Sequence, residues 1–479
     1  MRISFTTDRF TLPLPSMPSM LAKWLSTALL GLLLTACGPA DTPRIADYRS
    51  LGELRVATRH DAISYRIDED GRASGFEHDL LLALGETLGV TVTFVPYPDA
   101  TRALDAVVNG QAHMAAASLG KNERLPLTWS KPLREVEYVI VGRSDGRMTN
   151  TEKDLAGRTV SVRRGTLAAE KIMEIRKRLP GVNVHFPIRA GEEKLLADLA
   201  GGTLDLVATD RLHYAFAARL HPELEIVHEL PGRSGIAWAL PADQPALADG
   251  VDAFIDGIGA NGRLARLADR YFDYVRRLDD ADIATFLARI RERLPRYRDF
   301  FQEAEARTGV DWRYIAAVAY QESHWDPQAT SFTGVRGMMM LTGDTADRLG
   351  VDNRLDPRQS ILGGARYLEM LKEQLPDEIS EPDRTWMATA AYNLGMGHMN
   401  GARAIARRLG KDDRAWWEMK SVLPLLSRPD YAQRLKSGPA RGGEAVVMTE
   451  NVRNYHDILV RLEPPYEPAL PRLRLGQAD

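Results

Sequence analysis

The sequence predicts a multi-domain chain in which an α/β domain is followed by a mainly α-helical domain. It contains 479 residues, more than one hydrophobic core usually supports. Between residues 51 and 275, short strand patterns alternate with helical patterns, which is typical of α/β units around a mostly parallel sheet. From Asp279 onward the strand patterns fade and helical periodicity dominates. We therefore expect the second domain at residues 280–465 and a tail at residues 466–479.

The composition excludes several classes of function. Hydrophobic residues make up 44% and charged residues 27% of the chain, an ordinary globular balance. The formal net charge of -3 gives no basis for binding nucleic acid. His78, His113 and His398 are isolated and lack the spacing of metal ligands. We therefore expect no metal and no other cofactor, and no segment that spans a membrane in the mature chain.

The N-terminus has the pattern of a bacterial secretory signal. Lys23 precedes an apolar run at residues 24–34, and the sequence Leu-Thr-Ala-Cys-Gly follows, ending at Gly38. This sequence resembles a lipobox, in which the cysteine is lipidated after the preceding segment is removed. The resemblance implies a signal peptide at residues 1–36 and a lipidated Cys37, the single cysteine of the chain.

Lipidation predicts where the protein is held. Residues 37–50 have the composition of a tether. Gly38 in place of an aspartate resembles sorting to the outer membrane, so we expect a lipid anchor at its periplasmic face. Either Met1 or Met20 begins the signal, because the residues between them include an acid and three prolines, which is unusual there.

The N-terminal domain, residues 51–275, is expected to begin with a strand and a helix. The helix follows Gly75 and ends at Gly89, since glycine readily takes the left-handed conformation at a helix end. Eight segments with strand patterns are expected to build its sheets, at residues 54–58, 90–95, 114–117, 138–142, 159–162, 182–186, 204–208 and 236–240.

Two motifs in this domain resemble those of the family 3 periplasmic solute-binding proteins. They are Gly75-Phe76-Glu77-x-Asp79-Leu80 and Leu125-x-x-Thr128-x-Ser130-x-Pro132. The resemblance implies a periplasmic-binding-protein-like fold, with two lobes that close by hinge motion on a small ligand. A small amino acid or a muropeptide is the expected ligand, and residues 60–65 are expected in the first loop of the cleft.

Three residues match ligand-binding positions of amino-acid-binding relatives. The resemblance implies that Arg124 grips the ligand carboxylate with its planar guanidinium and that Asp210 takes the ammonium group. Thr166 and the glycine before it open a helix whose N–H groups would face the same anion. Lys121 departs from the family, which leaves the ligand class open. Solvated surface charge is the alternative for Arg124 and Asp210.

The C-terminal domain contains an acidic residue on the apolar face of a helix. Ile315, Val318 and Ala319 recur at helical spacing in a helix capped by Asp311. Glu322 falls seven, four and three residues after them and shares their face. Burial raises the pKa of a carboxyl group, which lets it donate a proton near neutral pH. The following Trp-Asp-Pro ends the helix, so the acid lies where a groove can reach it.

Further helices are expected around this one. Asp356 before a proline predicts a helix start, and Gly363-Gly364 inside that helix predicts close packing. A helix capped by Ser380 is expected to end at Gly395. The helix after Asp356 is expected to extend to residue 375, and the others are expected at residues 282–294, 295–307, 403–409 and 443–462.

Four motifs of this domain, in order, resemble those of the family 1 lytic transglycosylases. They are Glu322-Ser323, Gly337-Met338-Met339-Met340, Ala391-Tyr392-Asn393, and Glu450-Asn451 followed by Tyr455. Met340 departs from many relatives, which have glutamine there. The resemblance implies a goose-type lysozyme-like fold and a lyase acting on peptidoglycan glycan strands. Such an exotransglycosylase cuts between N-acetylmuramic acid and N-acetylglucosamine without water and leaves 1,6-anhydro ends.

The resemblance also implies roles for the motif residues. Glu322 is the expected catalytic acid, and the expected substrate-binding residues are Ser323, Met338, Met339, Met340, Tyr392, Asn393 and Tyr455. Ser323 and Tyr392 are expected to hydrogen-bond near the acid or the substrate's acetamido group. Asn393 is expected to hold loop backbone, and Tyr455 to complete the groove floor. The three methionines either line a sugar subsite or form a core turn.

Two other functions stay open. A hydrolytic muramidase would activate a water through a second carboxylate, from Asp326, Asp344 or Glu450. We expect Asp326 to cap a turn, Asp344 to favour a helix N-terminus and Glu450 to orient backbone. The other alternative is a solute-binding sensor with a decayed enzyme half, against which the intact motifs argue. If the enzyme is active, we expect its N-terminal domain to sense a ligand and change the enzyme's activity. The alternative is that this domain is only a spacer.

Overall fold

The computed structural model describes residues 44–468 apart from short gaps at residues 62, 68–70, 122–124, 148, 150, 189, 277, 279, 332–333, 434 and 436. The predicted signal peptide, Cys37, Arg124 and the end of the tail therefore lie outside the described residues. Among the residues described, no helix is both long and apolar enough to cross a membrane.

The N-terminal domain is built on two five-stranded sheets and one two-stranded sheet. Its strands are β1 Glu53–Thr58, β2 Arg66–Ile67, β3 Ala73–Ser74, β4 Thr91–Pro96, β5 Met114–Ala115, β6 Leu127–Trp129, β7 Arg134–Arg143, β8 Thr159–Val162, β9 Asn183–His185, β10 Leu206–Asp210, β11 Leu224–Ile236 and β12 Ala239–Pro241.

The two large sheets form two lobes, as the sequence predicts. Lobe 1 has the strand order β4-β1-β5-β12-β6, and lobe 2 has the order β11-β7-β10-β8-β9. The chain crosses between the lobes after β6 and returns after β11. Each lobe has its own hydrophobic core, and the pairs β1–β4 and β8–β10 are parallel. The α/β class and the two-lobed architecture are therefore confirmed.

Helices occur in both domains and dominate the second half of the chain. They are α1 Tyr48–Leu51, α2 Phe76–Leu88, α3 Ala100–Val108, α4 Leu167–Arg178, α5 Glu192–Ala200, α6 Arg211–Ala218, α7 Pro245–Ala260, α8 Arg263–Tyr271, α9 Asp280–Glu292, α10 Arg298–Thr308, α11 Trp312–Ser323, α12 Gly343–Leu349, α13 Pro357–Glu373, α14 Asp383–Leu394, α15 Met396–Arg408, α16 Trp416–Val422, α17 Pro429–Ala432 and α18 Gly442–Leu462. Short 3-10 helices lie at Glu152–Leu155, Asp273–Arg276, Leu294–Arg296 and Leu423–Ser427.

Strand β11 is the longest strand that the local sequence patterns did not predict. It contains Pro231 and Gly232, which read as a turn in isolation. In the structure, β11 pairs with β7 in antiparallel fashion, and the register shifts between Leu230 and Arg233. The irregularity accommodates a proline without a ladder hydrogen bond, because a bulge leaves residues unpaired. Only the neighbouring strand reveals this segment as part of a sheet.

Helix α11 lies at the centre of the C-terminal domain. It packs against α10, α13 and α18, and its residues from Tyr314 to Tyr320 are buried. The predicted close packing of the paired glycines in α13 is confirmed. A Cβ atom on Gly364 would lie 2.6 Å from the side chain of Met339, and one on Gly363 would lie 2.5 Å from that of Val351. A larger residue at either position would push this helix away from its neighbours.

Helix α18 also contacts lobe 1 of the N-terminal domain. Arg453 pairs with the buried Asp269, with 3.2 Å between Nη1 and Oδ2. One residue further along, Asn454 Nδ2 donates a 3.0 Å hydrogen bond to the carbonyl of Tyr274. The guanidinium of Arg453 also lies over the ring of Tyr274, at 4.6 Å. These groups belong to the segment that packs into the core of lobe 1, so this lobe is held directly against α18.

Lobe 2 contacts the same helix. Arg219, which follows α6, pairs with Asp457 at 3.0 Å and donates a 2.7 Å hydrogen bond to the carbonyl of Asn454. Near the end of α18, Arg461 pairs with Glu193 of α5 at 2.9 Å. Both lobes therefore meet on one helix of the C-terminal domain.

Candidate active site and ligand cleft

The chain turns sharply directly after the candidate acid. Helix α11 begins after Asp311, whose carboxylate accepts a 2.7 Å hydrogen bond from the N–H of Arg313, as predicted for a cap. It ends at Ser323, because His324 and Trp325 adopt left-handed backbone with φ of 51° and 57°. The buried Trp325 donates from Nε1 to the carbonyl of Ala316 at 2.9 Å. This bond holds the turn, which leaves the acid in the last turn of the helix.

Glu322 has the protonation behaviour that a general acid needs. Its side chain is half-buried, and loss of water raises its pKa from 4.5 to about 7. Burial disfavours the charged form of a carboxyl group, which is the physical cause of such a rise. At neutral pH the group therefore exists both as acid and as carboxylate.

Ser323 links the acid's helix to the turn at Gly337-Met338-Met339-Met340, which we call the methionine turn. Its hydroxyl is 2.8 Å from the carbonyl of Met338 and 3.0 Å from that of Ala319. The hydroxyl has a single proton, so the two carbonyls share it. These contacts differ from the expected hydrogen bond to the substrate or the acid, because the hydroxyl bonds backbone carbonyls behind the acid.

The methionine turn depends on Gly337. This residue has φ of 81°, and a Cβ atom there would lie 1.7 Å from the carbonyl oxygen of Arg354. Met338 and Met339 follow it with fully buried side chains, whereas Met340 is half-buried with φ of 47°. The expected contact of all three methionines with sugar is thus corrected: the first two pack in the core, because the turn points them inward.

Tyr392 supports the same turn from another helix. Its hydroxyl donates a 2.7 Å hydrogen bond to the carbonyl of Met339, while Ser360 Oγ accepts from the N–H of Met339 at 3.1 Å. Burial raises the pKa of Tyr392 well above its ordinary value, and the neighbouring Glu322 contributes. The phenol therefore stays protonated and donates. Sequence reasoning missed Ser360, since a serine inside a helix carries no local signal.

The rings behind the acid form one aromatic cluster. Tyr455 of α18 lies with its ring centroid 4.8 Å from that of Tyr320 and 4.5 Å from that of Phe286. Tyr320 precedes Glu322 by two residues on α11. Tyr455 is buried beneath these rings, whereas Asn393, beside Tyr392, is exposed.

The carboxylates Asp326 and Asp344 lie on the surface. Asp326 accepts a 2.9 Å hydrogen bond from the N–H of Gln328, which is the expected turn cap. Asp344 lies in the first turn of α12, where Thr342 caps the helix. Both aspartates are exposed and already explained by local backbone structure.

Glu450 is buried, and one of its carboxylate oxygens bonds a cationic and an indole group. Its Oε1 accepts from Trp416 Nε1 at 2.7 Å and from Arg453 Nη1 at 2.9 Å. Burial opposes ionisation, but Arg453 and Lys420 outweigh it and hold the pKa of Glu450 below its ordinary value. A carboxylate held ionised between cations is suited to joining helices rather than to exchanging a proton.

The cleft residues of the N-terminal domain are bonded within the chain. Asp210 caps α6, accepting from the N–H of Leu212 at 3.0 Å, and its Oδ2 lies 2.6 Å from His213 Nδ1. Burial opposes ionisation, yet His213 lowers the pKa of Asp210 to about 2. The hydroxyl of Thr166 caps α4 and donates to the carbonyl of Arg163 at 2.8 Å. The expected contacts of Asp210 and Thr166 with a ligand are thus replaced by contacts inside the protein.

Two known families match this chain in separate segments. Residues 54–274 match the family described as bacterial extracellular solute-binding proteins, family 3. Residues 299–415 match the Transglycosylase SLT domain. The second match includes the candidate acid, the methionine turn and Tyr392, while Tyr455 lies beyond it.

Relatives match the two segments together. The membrane-bound lytic murein transglycosylase F of Thiobacillus denitrificans is 40% identical over 476 residues, covering 97% of this chain and 98% of the relative. The protein of the same name from Methylobacillus flagellatus is 40% identical, covering 94% of this chain and 97% of the relative. Among solved structures, a mutant of ArgBP from T. maritima matches with 21% identity and a TM-score of 0.43, covering 47% of this chain and 96% of that chain.

Proposed function

The chain belongs to the membrane-bound lytic murein transglycosylase F family, a family of lyases acting on peptidoglycan, and we propose that it cuts glycan strands with Glu322 as the only reacting carboxyl group. The bond broken is the β-1,4 link from N-acetylmuramic acid to N-acetylglucosamine. The product end is 1,6-anhydro-N-acetylmuramic acid, because no water enters.

The proposed reaction uses one proton on one side chain. Protonated Glu322 gives its proton to the glycosidic oxygen as the bond to the anomeric carbon breaks. The substrate's own acetamido group stabilises the positive charge that develops on the sugar. The Glu322 carboxylate then removes the proton of the 6-hydroxyl group, whose oxygen bonds to the anomeric carbon. The carboxyl group ends protonated, ready for another turn.

The raised pKa of Glu322 is the observation that carries this proposal. A group with a pKa of about 7 can donate a proton in one step and accept one in the next at neutral pH. The candidate second carboxylates are engaged otherwise: Asp326 caps a turn, Asp344 is exposed, and Glu450 is paired with Arg453. These positions favour the single-acid reaction over a muramidase that would need a second carboxylate for water.

The products of sacculus digestion test the proposal. We expect the purified chain to release muropeptides that lack one water relative to hydrolytic products, as measured by mass spectrometry. Glu322→Gln keeps the shape but removes the proton, so it should release nothing while still binding sacculi. Asp326→Asn is the matched control, because it changes a carboxylate four residues away, and it should cleave normally. Hydrated product ends, or normal turnover by Glu322→Gln, would refute the single-acid reaction.

We further propose that the N-terminal domain senses an amino acid or muropeptide and changes the cleavage rate. Helix α18 supports this coupling, because one of its faces contacts both lobes while Tyr455 packs on Tyr320 near the acid. A cavity of about 820 Å³ lies where the two lobes meet α18, and its lining includes cationic side chains such as Arg163 and Arg461 and acidic ones such as Glu192. A change in lobe arrangement would therefore act on the helix behind the active site.

The sensing proposal needs two measurements on the full chain. Amino acids and muropeptide fragments are screened by thermal shift, and each ligand found is then added to the sacculus assay. We expect at least one to change the rate, typically by about 5–150-fold where allostery operates. If ligands bind but leave the cleavage rate unchanged, the domain is not a regulator, and its role is that of a spacer or of substrate capture.

The proposed location is the periplasmic face of the outer membrane. Its basis is the lipobox-like sequence around Cys37, together with relatives named membrane-bound. A lipid anchor there would hold the enzyme beside its peptidoglycan substrate.

A further inference from the structure

Six charged side chains meet between the lobes of the N-terminal domain. They lie at or just after the carboxyl ends of β1, β8 and β10, or in the first turn of α5. This is the edge at which open α/β sheets bind ligands. Lobe 1 contributes Arg59 and Asp61, and lobe 2 contributes Arg163, Glu192, Asp210 and His213. Five of them are less than a tenth exposed, and Asp210 is nearly so. Ionised groups rarely lie this deep unless they are paired.

The Glu192 carboxylate is held as a ligand carboxylate would be. Its Oε2 lies 2.5 Å from Arg163 Nη1 of lobe 2, and its Oε1 accepts a 3.3 Å hydrogen bond from Arg59 Nη2 of lobe 1. One carboxylate thus bridges two guanidinium groups from opposite sides of the cleft. Burial alone would raise the pKa of Glu192, but Arg59 and Arg163 lower it, so the group stays ionised.

The His213 imidazole is held as a ligand ammonium group would be. Its Nδ1 lies 2.6 Å from Asp210 Oδ2 of lobe 2, and its Nε2 lies 3.2 Å from Asp61 Oδ2 of lobe 1. Burial alone would lower the pKa of His213, but the two carboxylates raise it well above its ordinary value. The imidazole is therefore a cation that bridges both lobes.

The same cluster is a poor metal site. Ligand atoms of Asp61, Glu192 and His213 lie within 4.8 Å of one another, which would suit a divalent cation by distance alone. The guanidinium of Arg59, however, lies 3.3 Å from one of these carboxylates and 3.5 Å from the other. A permanent cation there repels a metal ion and occupies its ligands, so ion pairing is the better account.

The lobes are in close contact around the cluster. A Cβ atom on Gly165 of lobe 2 would lie 2.9 Å from the backbone nitrogen of Thr101 in lobe 1. One on Gly120 of lobe 1 would lie 1.7 Å from the side chain of Leu167 in lobe 2. Glycine at both positions permits this approach, so the ion pairs operate across a narrow, closed junction.

We propose that Glu192 and His213 act as a built-in ligand, a carboxylate and a cation that hold the lobes together as a zwitterionic amino acid would. A free α-amino acid competes for the same charges: its carboxylate binds Arg59 and Arg163, and its ammonium group binds Asp61 and Asp210. Two buried donors of Arg59, Nε and Nη1, have no hydrogen-bond partner among the described residues, which leaves capacity for a carboxylate at this point. The inference does not depend on whether the domain regulates cleavage.

Removal of the built-in carboxylate tests this inference in the full chain. Spin labels on Leu82→Cys in lobe 1 and Ile188→Cys in lobe 2 report the lobe distance, in a Cys37→Ser background. Both labelled positions are exposed. We expect Glu192→Ala to lengthen that distance and to lower the thermal midpoint by roughly 10 °C, because two buried guanidinium groups lose their partner. Acetate or glycine at millimolar concentration should restore both readouts, whereas sodium chloride at equal ionic strength should not.

A neighbouring carboxylate provides the control. Asp198 lies on the same helix as Glu192, but it pairs with Lys194 of that helix and not across the lobes. In Asp198→Ala, the lobe distance and the response to acetate should therefore match those of the parent chain. An unchanged lobe distance in Glu192→Ala, or an equal acetate effect on both variants, would overturn the proposal. If Glu192→Ala does not fold, Glu192→Gln keeps the side-chain volume without the charge, and an unchanged distance in that variant has the same consequence.

Discussion

The hydroxyl of Tyr392 donates a 2.7 Å hydrogen bond to the carbonyl of Met339 and so joins two sequence motifs that are far apart in the chain. Tyr392 is half-buried, and Met339, whose carbonyl accepts the bond, is fully buried. Ser323 makes the same kind of bond to the neighbouring carbonyl of Met338. The turn behind the acid is therefore positioned by two side-chain donors, Tyr392 and Ser323, which come from two other motifs.

Tyr392→Phe removes only this donor. The carbonyl of Met339 would lose a buried partner, which typically costs about 1–3 kcal/mol, and the turn behind the acid would shift. We expect a thermal midpoint several degrees lower and sacculus cleavage reduced by roughly tenfold or more. Tyr297→Phe is the control, since its ring packs on the same core and has no side-chain hydrogen bond among the described residues. Equal behaviour of the two variants would contradict this role for Tyr392.

The pKa of Glu322 predicts how cleavage depends on pH. Because the reaction begins with the protonated acid and the pKa is about 7, the rate should fall about tenfold per pH unit above neutrality. Sacculus binding, measured in parallel, should not follow this curve. A rate that stays constant from pH 7 to pH 9 would exclude Glu322 as the proton donor.

The same shift predicts a pH-dependent difference in stability. In the folded chain the pKa of Glu322 is about 7, above its ordinary value of 4.5, so the unfolded chain loses this proton first. The free energy of unfolding of the wild type should fall by up to about 3 kcal/mol as the pH rises from 4.5 to 7. Glu322→Gln should not show this fall, because it has no charge to bury. The thermal midpoint of Glu322→Gln, relative to wild type, should therefore increase across this window. The exposed Glu373→Gln should give a constant difference.

Arg219 predicts how firmly lobe 2 is held to the enzyme. It is 3% exposed and bonds both Asp457 and the backbone of Asn454. Arg219→Ala leaves the half-buried Asp457 carboxylate with fewer partners. We expect the free energy of unfolding to fall by about 3 kcal/mol and the two domains to unfold separately in calorimetry. Arg414→Ala removes an exposed pair with Asp412 and should change stability by less than about 0.5 kcal/mol. The same unfolding profile for both variants would show that the junction does not couple the domains.

Cys37 predicts the attachment of the protein to the outer membrane. Acyl chains hold a protein in a bilayer because each buried methylene contributes about 0.8 kcal/mol. Cys37→Ala should therefore appear in the soluble periplasmic fraction and incorporate no labelled palmitate, while its cleavage of isolated sacculi stays unchanged. A variant that still sediments with membranes would require a different anchor.

Local patterns predicted most of the elements near the acid. The cap at Asp311 and the start of α13 at Pro357 follow from preferences of adjacent residues, whereas α11 ends at Ser323, just before the predicted stop at Trp-Asp-Pro. The raised pKa of Glu322 was also predictable, since helical spacing placed it on a buried face. The inward packing of Met338 and Met339 was not, because it depends on α13 approaching through Gly364.

The sequence by itself determined the two fold classes and the helix that presents the acid, because periodicity and turn preferences are properties of neighbouring residues. Only the tertiary structure decided which charges meet. Arg59 and Glu192 are 133 residues apart, and Arg219 and Asp457 are 238 apart. In the local sequence each of these residues looks like a solvated charge. Each becomes part of a buried or half-buried ion pair when two lobes or two domains come together. Burial of a charge is a property of the assembled surfaces, and no short stretch of sequence contains it.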